Sequence, residues 1–429
     1  MLLMQIEIFA LLENYLLVET AVHIHHPQPF PIFAEISQRM KKLFRIATVP
    51  MSLNILLKGQ LKFLNQYYDL TAISGSGADL DEVREREGVK VHPIEIQRQI
   101  SPVKDLISLI KLYIYFRKEK PDIIHSITPK AGLLSMIAGK LAGVPVRIHT
   151  FTGLVFPYKE GVLQKILILM DKILCRCATN IFPEGQGVKS DLENFKITDK
   201  PLTIIGNGNV NGIDLGHFDP ALFSEETKTQ LRKDLNIAED DFVFIFVGRL
   251  VRDKGINELI SAFQTLQLSN PPALQPTNSP NLKLLLVGPL EQDLDPLSQD
   301  VLNEIETNPD IVSVGFQKDV RPYFAISNAL VFPSYREGFP NVVLQALAMG
   351  IPALVSDING CNEIIQNQHN GLIFPSKNKE KLLEAMSLGI KKDIHTRLQS
   401  QSRSSIMIYK QELIWELLKE KYTELLESV

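Results

Sequence analysis

From residue 43 onward, short apolar runs alternate with stretches of helical periodicity, and the series starts over at residue 242. The first set reads "LFRIATV", "YDLTAIS", "VKVHPI", "DIIHSI", "VRIHTF" and "ATNIF". The second reads "FVFIFV", "KLLLV", "IVSV", "ALVF", "PALVS" and "GLIF". Helical patterns such as 103–118 and 130–142 lie between them. Alternation of this kind predicts parallel sheets with helices on both faces. A chain of 429 residues exceeds one ordinary core, so the restart reads as a second α/β half. The expected fold class is α/β, with two Rossmann-like, doubly wound parallel-sheet domains facing a central cleft. The expected boundaries are an extension at 1–40, a first domain at 41–205 and a second at 206–391. Helices at 392–429 are expected to pack back toward the first domain. The Gly/Asn-rich stretch "IIGNGNVNGIDLGHFDP" (204–220) reads as the linker or hinge, and 268–281 as a polar, Pro-rich surface insertion.

Such sheets take ligands at the carboxyl ends of their strands, so residues just after strands are the candidates. The stretch "REGFPNVVLQALAMG" (336–350) follows the run "ALVF". Pro340 suits a first helical turn, and Gly350, Ile351 and Pro352 stop the helix. The loop brings Glu337 to the free N–H groups of a helix start, which attract phosphate. Gly338 gives a phosphate room to approach the backbone, and Glu337 can bind the hydroxyls of a sugar it carries. An ordinary βα turn with a solvated acid has the same pattern. "VGRLVRDKG" (247–255) places Arg249 and Lys254 between a strand and a helix, where two cations can neutralise a diphosphate. A solvated charged loop is the alternative. "RIHTFTG" (147–153) puts His149 after a strand, on the rim of the crevice; a satisfied structural histidine is the other reading. "HSITPKAG" (125–132) opens a helix with Lys130, placed to hold an acceptor phosphate.

Other features narrow the classes. Cys175, Cys177 and Cys361 are the only cysteines, which points to a reducing compartment without disulfides. Residues 41–205 carry about +8 and residues 206–429 about −9. A basic half calls for an acidic partner, and without an aromatic–basic nucleic-acid motif the expectation is membrane or phosphate, with no nucleic acid. The segment "KDLISLIKLYIYFRKEK" (104–120) mixes cations with apolar residues as a surface-binding helix does, though a core-facing helix also fits. No apolar stretch has transmembrane length. The string "MKKLFRIATV" from Met40 resembles a bacterial start, so residues 1–39 are expected to be extraneous or poorly ordered; intact mass of the native protein checks this. His23, His25 and His26 fall in that segment, and no second cluster completes a metal site. "DLD" occurs at Asp79–Asp81 and Asp293–Asp295 in polar, loop-like segments, so no metal is expected. "SGSGADL" (74–80) lacks the third glycine of a dinucleotide loop.

The residues quoted resemble the retaining GT-B glycosyltransferases grouped as family 4, over nearly all of 41–429. The likeness is strongest in "VGRLVRDKGINELISAF", "VFPSYREGFPNVVLQALAMGIPALVS" and "NGNVNGIDLGHF". "TPKAGLLSMIAGKLAGVPVRIHT" and "DINGCNEII" resemble the bacterial enzymes of capsule and O-antigen synthesis that act on polyprenyl-diphosphate-linked acceptors. The resemblance implies transfer of a hexose or N-acetylhexosamine from a nucleoside-diphosphate sugar, with retention and without cofactor. It implies catalytic roles for His149, Arg249, Lys254 and Glu337, and a donor site that adds Gly248, Gly338, Phe339, Pro340, Asn341 and Gln345. Ser52, Lys58, Arg98 and Lys130 are the acceptor-side candidates. With the basic first half and the 104–120 segment, the expectation is a peripheral protein on the inner face of the cytoplasmic membrane, bound to anionic lipid. Two departures stand out. Gln345 occupies the position of the family's second acid, and "TVPMSLNILLKGQ" replaces the glycine-rich loop after the first strand. A non-hydrolysing sugar-nucleotide 2-epimerase shares the fold and donor, and a non-catalytic glycan-assembly subunit is the reading from a different class.

Overall fold

The computed structural model describes residues 39–99, 101–269, 281–293 and 295–429. The segment with His23, His25 and His26, and most of the Pro-rich insertion, lie outside the described residues. Lys41–Val429 forms one compact unit.

Each of the apolar runs becomes a strand. They are β1 (Lys42–Ile46), β2 (Asp69–Ser74), β3 (Lys90–Pro93), β4 (Ile123–Ser126), β5 (Val146–Phe151) and β6 (Asn180–Pro183). The second series is β7 (Phe242–Val247), β8 (Leu282–Val287), β9 (Ile311–Ser313), β10 (Ala329–Phe332), β11 (Ala353–Ser356) and β12 (Gly371–Phe374). Two six-stranded sheets result, ordered β3-β2-β1-β4-β5-β6 and β12-β11-β10-β7-β8-β9. All neighbours pair in parallel. The sequence explains the arrangement. Val243, Phe244, Ile245 and Phe246 are all fully buried, so the strand has no polar face to give to water and needs helices on both sides. Strand order reverses between β1 and β4 in the first sheet, and between β7 and β10 in the second. A crevice forms at the carboxyl edge of each such switch point.

The last helix, Gln411–Glu427, crosses to the first sheet. Leu418, Tyr422 and Leu425 join the core that holds Leu43 and Leu70. The Tyr422 hydroxyl lies 2.6 Å from Arg45 Nη1 and 2.5 Å from His125 Nδ1, all three buried. Helix Lys392–Ser405 instead contributes Leu398 to the core of the second sheet.

The stretch read as a hinge is pinned along its length. Asn209 N–H donates to the Glu184 carbonyl at 2.8 Å, and its side-chain amide donates to Asn341 Oδ1 at 2.7 Å. Trp415 Nε1 donates to Asn211 Oδ1 at 2.7 Å, and Ile213 N–H to the Tyr409 carbonyl at 2.8 Å.

Candidate donor and acceptor sites

The two candidate donor motifs meet because β7 and β10 are hydrogen-bonded neighbours at the switch point. β7 ends at Val247 and delivers Gly248 and Arg249; a 3-10 turn, Arg252–Lys254, then leads into helix Ile256–Ser269. Gly255 has φ 72°, and a Cβ there would lie 2.1 Å from the Pro333 carbonyl oxygen. Only glycine lets this turn sit against the exit of β10. From that exit, Glu337 forms an ion pair with Lys254. Ser334 Oγ, fully buried, donates to the same Glu337 oxygen at 2.9 Å. Both charged side chains are under one-fifth exposed, so the pair is partly desolvated and held in one geometry. Arg249 is more open and pairs with Glu291 at 3.0 Å. Around them Arg336 bonds Asp253 at 2.8 Å, and the Tyr335 hydroxyl donates to Glu258 at 2.6 Å.

Helix Asn341–Ala348 starts one residue later than the sequence suggests, with Pro340 as its N-cap. Asn341 is held by Asn209, and Gln345 sits half-buried one turn further on. Phe339 is buried and packs 5.5 Å from the Tyr409 ring. At Gly338 the finding differs from the simple expectation. A Cβ there would meet the Thr152 carbonyl oxygen at 2.4 Å and Gly153 N at 2.8 Å. The glycine is required because backbone from the first sheet's side closes on it.

Facing this loop, a cavity of about 390 Å³ opens at the β1/β4 switch point, lined by Ser52, Arg98, Lys130, Gly153 and Asp171 among others. Three of the four acceptor-side candidates therefore converge. Lys130 is fixed by Asp105 at 2.8 Å and by the Gln99 carbonyl. Lys58 does not belong with them. It is exposed in the turn before helix Gln60–Leu64, and its carbonyl accepts from the Asn211 side chain at 2.9 Å.

His149 also requires correction. It was expected on the rim, but β5 runs on to Phe151, so His149 is inside the strand and fully buried. Its Nδ1 lies 2.8 Å from Ser126 Oγ, and its ring packs edge-on to Phe151. Burial drives its pKa down to about 3, which keeps the imidazole neutral. Phe151 at the strand's end and Gly153 beyond it line the neighbouring cavity, and the Thr152 carbonyl meets Gly338. The DLD acids are engaged as well: Asp79 accepts from Asn54 at 2.8 Å, Asp81 pairs with Arg84 at 3.0 Å, and Asp295 pairs with Arg252 at 3.1 Å.

Comparison with known proteins identifies the family. Residues 227–404 match the family described as glycosyl transferases group 1, and residues 45–184 match glycosyl transferase 4-like. The capsular polysaccharide biosynthesis glycosyltransferase CapM of Staphylococcus aureus is 31% identical over 403 residues, 90% of this chain and 98% of CapM. The chain belongs to the group 1 glycosyltransferases. A second relative of this glycosyltransferase is the Escherichia coli UDP-Gal:alpha-D-GlcNAc-diphosphoundecaprenol alpha-1,3-galactosyltransferase. It is 27% identical over 327 residues, 75% of this chain and 80% of that protein. Among solved structures, Anabaena HepE in complex with UDP superimposes with a TM-score of 0.72 at 17% identity, covering 89% of this chain and 100% of HepE. That likeness is one of fold, and the fold is GT-B.

Two acids of the glycosyltransferase were not singled out from sequence. Glu363 accepts from the N–H groups of Gln186 at 2.6 Å and Gly187 at 3.0 Å. It thereby caps helix Gln186–Asn194, on the first sheet's side, from the second sheet's side. Glu184 follows β6 and is buried. Burial first, then the charges of Glu337 and Glu363, push its carboxyl up to about 8. The folded chain therefore holds a proton that the unfolded chain releases near 4.5. This contribution to stability is complete below about 4.5 and is lost as pH rises toward about 8. Melting temperature is expected to fall across that window. The Glu184→Gln variant should flatten the slope and melt higher than wild type at pH 8, by differential scanning fluorimetry.

Proposed function

We propose that the chain transfers a hexose or N-acetylhexosamine, with retention, from a nucleoside-diphosphate sugar to a hydroxyl of a polyprenyl-diphosphate-linked glycan in cell-surface polysaccharide synthesis. The observation that carries this reading is the Lys254–Glu337 pair, with Arg249 beside it, at the carboxyl edge of β7 and β10. The second sheet with its helices (206–391) is the donor side, and the first (41–205) is the acceptor side. As the anomeric C–O bond breaks, its electron pair passes to the β-phosphate oxygen. Arg249, Lys254 and the N-terminus of helix Asn341–Ala348 stabilise that charge without a metal. Glu337 orients the sugar through its hydroxyls. The acceptor oxygen bonds the anomeric carbon from the same face and loses its proton to the departing phosphate. Gln345 keeps hydrogen-bonding capacity at the position of the family's second acid. The activity for which the Escherichia coli relative is named, on a diphosphoundecaprenol-linked sugar, supports the class of acceptor.

The proposed partner surface is anionic membrane on the cytoplasmic side. Helix Pro102–Glu119 buries only the stripe Ser108, Leu112 and Phe116. Val103, Leu106, Ile107, Ile110 and Ile114 remain exposed, with Lys104, Lys111, Arg117 and Lys118 around them. Helix Gly161–Cys177 adds exposed Val162, Leu163, Ile166 and Leu169. Exposed apolar side chains on two helices, the first with a cationic fringe, suit contact with a membrane interface. Among the described residues no helix is long and apolar enough to cross a membrane. Vesicles containing phosphatidylglycerol are expected to sediment the protein, and Ile110→Glu with Ile114→Glu to abolish this at least tenfold; equal sedimentation of the variant removes this surface from the account.

The reaction is tested with labelled nucleotide sugars and a prenyl-diphosphate-linked sugar, following product by chromatography and anomeric configuration by NMR, with and without EDTA. Sugar on the lipid with the donor's configuration supports the reading. Isomerised donor marks a 2-epimerase, and donor binding without turnover marks a non-catalytic subunit.

A further inference from the structure

Asp171 sits on helix Gly161–Cys177 and lines the cavity at the β1/β4 switch point. Its neighbours on the wall are Leu133, Leu154, Leu167 and Met170. No protein group among the described residues hydrogen-bonds or ion-pairs with it. Burial alone raises its pKa to about 7, with no cation close enough to pull it back. Asp171 is half-buried, so solvent in the cavity reaches it, and a ligand there must supply the hydrogen bonds that water otherwise makes. Such a residue makes sense where a ligand supplies the missing hydrogen bonds.

The cavity indicates which ligand. Arg98, the anchored Lys130 and Ser52 line it, which suits a phosphate. Among the described residues neither cation forms an ion pair with Asp171, and Lys130 is paired with Asp105 instead. A prenyl chain offers a carboxyl nothing, and a phosphate repels it when ionised. A sugar hydroxyl both donates and accepts, so it satisfies the carboxyl in either protonation state. Gly153 belongs to the same lining, and a methyl placed on it would come within 3.3 Å of Gly338 Cα in the donor loop. A ligand here therefore lies against the loop that carries Glu337. We propose that Asp171 reads the acceptor, its carboxyl hydrogen-bonding a hydroxyl of the phosphate-linked sugar seated in this cavity. The assignment rests on the transfer reaction above and adds the residue that selects its acceptor.

The test compares wild type with Asp171→Asn and Asp171→Leu, using a short prenyl-diphosphate-linked N-acetylhexosamine and its mono-deoxy analogues. The expected result is an acceptor KM raised about tenfold by Asn and more by Leu. Donor KM and the thermal shift produced by donor stay at wild-type values. One deoxy analogue should lose as much with wild type as the full acceptor loses with Asp171→Leu, and lose nothing further with that variant. Asp171→Leu should also melt no lower than wild type, since it removes an acid without a protein partner. An acceptor KM within twofold of wild type in both variants overturns the role of Asp171 and leaves the transfer reaction standing. Absence of transfer by wild type to every donor–acceptor pair overturns the reaction itself, and this inference with it.

Discussion

Replacing Lys254 by Ala is expected to lower kcat/KM for the nucleotide sugar by about a thousandfold, and replacing Glu337 by Ala to do the same. In the proposed reaction Lys254 meets the charge that builds on the departing diphosphate, and Glu337 fixes the sugar. The losses should not add. The two side chains are ion-paired through the Glu337 oxygen that also accepts from Ser334 Oγ, so each positions the other. The double variant should be within about tenfold of the worse single one. Lys254→Ala also leaves Glu337 partly buried without its cation, at a cost of roughly 1–3 kcal/mol; Lys254→Met separates lost charge from lost packing. Steady-state kinetics with saturating acceptor checks the prediction. Single variants that retain more than a tenth of wild-type kcat/KM would remove this pair from the mechanism.

Gly338→Val should be nearly as damaging for a different reason. The new Cβ would sit 2.4 Å from the Thr152 carbonyl oxygen and 2.7 Å from the carbonyl carbon. These are backbone atoms of a strand exit, without a flexible end to swing aside. The loop must move away, and it carries Glu337. Displacement by about 1 Å costs on the order of a hundredfold in rate, with destabilisation of about 1–3 kcal/mol. Gly338→Ala should show the same defect in smaller measure. Activity and melting temperature together test it. A Val variant with wild-type activity would mean that this approach of the two sides is not part of the working site.

The fold was legible because its signal is local and repeated. Runs such as "FVFIFV" are too apolar to be anything but buried, and their alternation with helices implies parallel pairing. Arg249, Lys254 and Glu337 were legible because they stand directly after such runs, and sheet order then makes neighbours of residues about 80 positions apart. His149 was misplaced because "RIHTF" does not say where the strand ends; the histidine lies two residues short of Phe151, where the chain leaves the sheet. Lys58 was misplaced because direction around a turn is set by tertiary contact, here with Asn211. Gly338 was read as space for a ligand, whereas Thr152, distant in sequence, is what fills that space. Glu184, Glu363 and Asp171 carried no signal. Each draws its properties from burial or from backbone groups that other segments bring to it.

The central claim is that the carboxyl edge of β7 and β10 grips the diphosphate of a nucleotide sugar. A crystal structure with an intact, non-hydrolysable donor tests it most directly. The account predicts the diphosphate within hydrogen-bonding distance of Arg249 and Lys254, with hexose hydroxyls on Glu337 and the anomeric carbon turned toward the cavity that holds Asp171. A donor bound elsewhere, or a diphosphate that leaves the Lys254–Glu337 pair untouched, would contradict it.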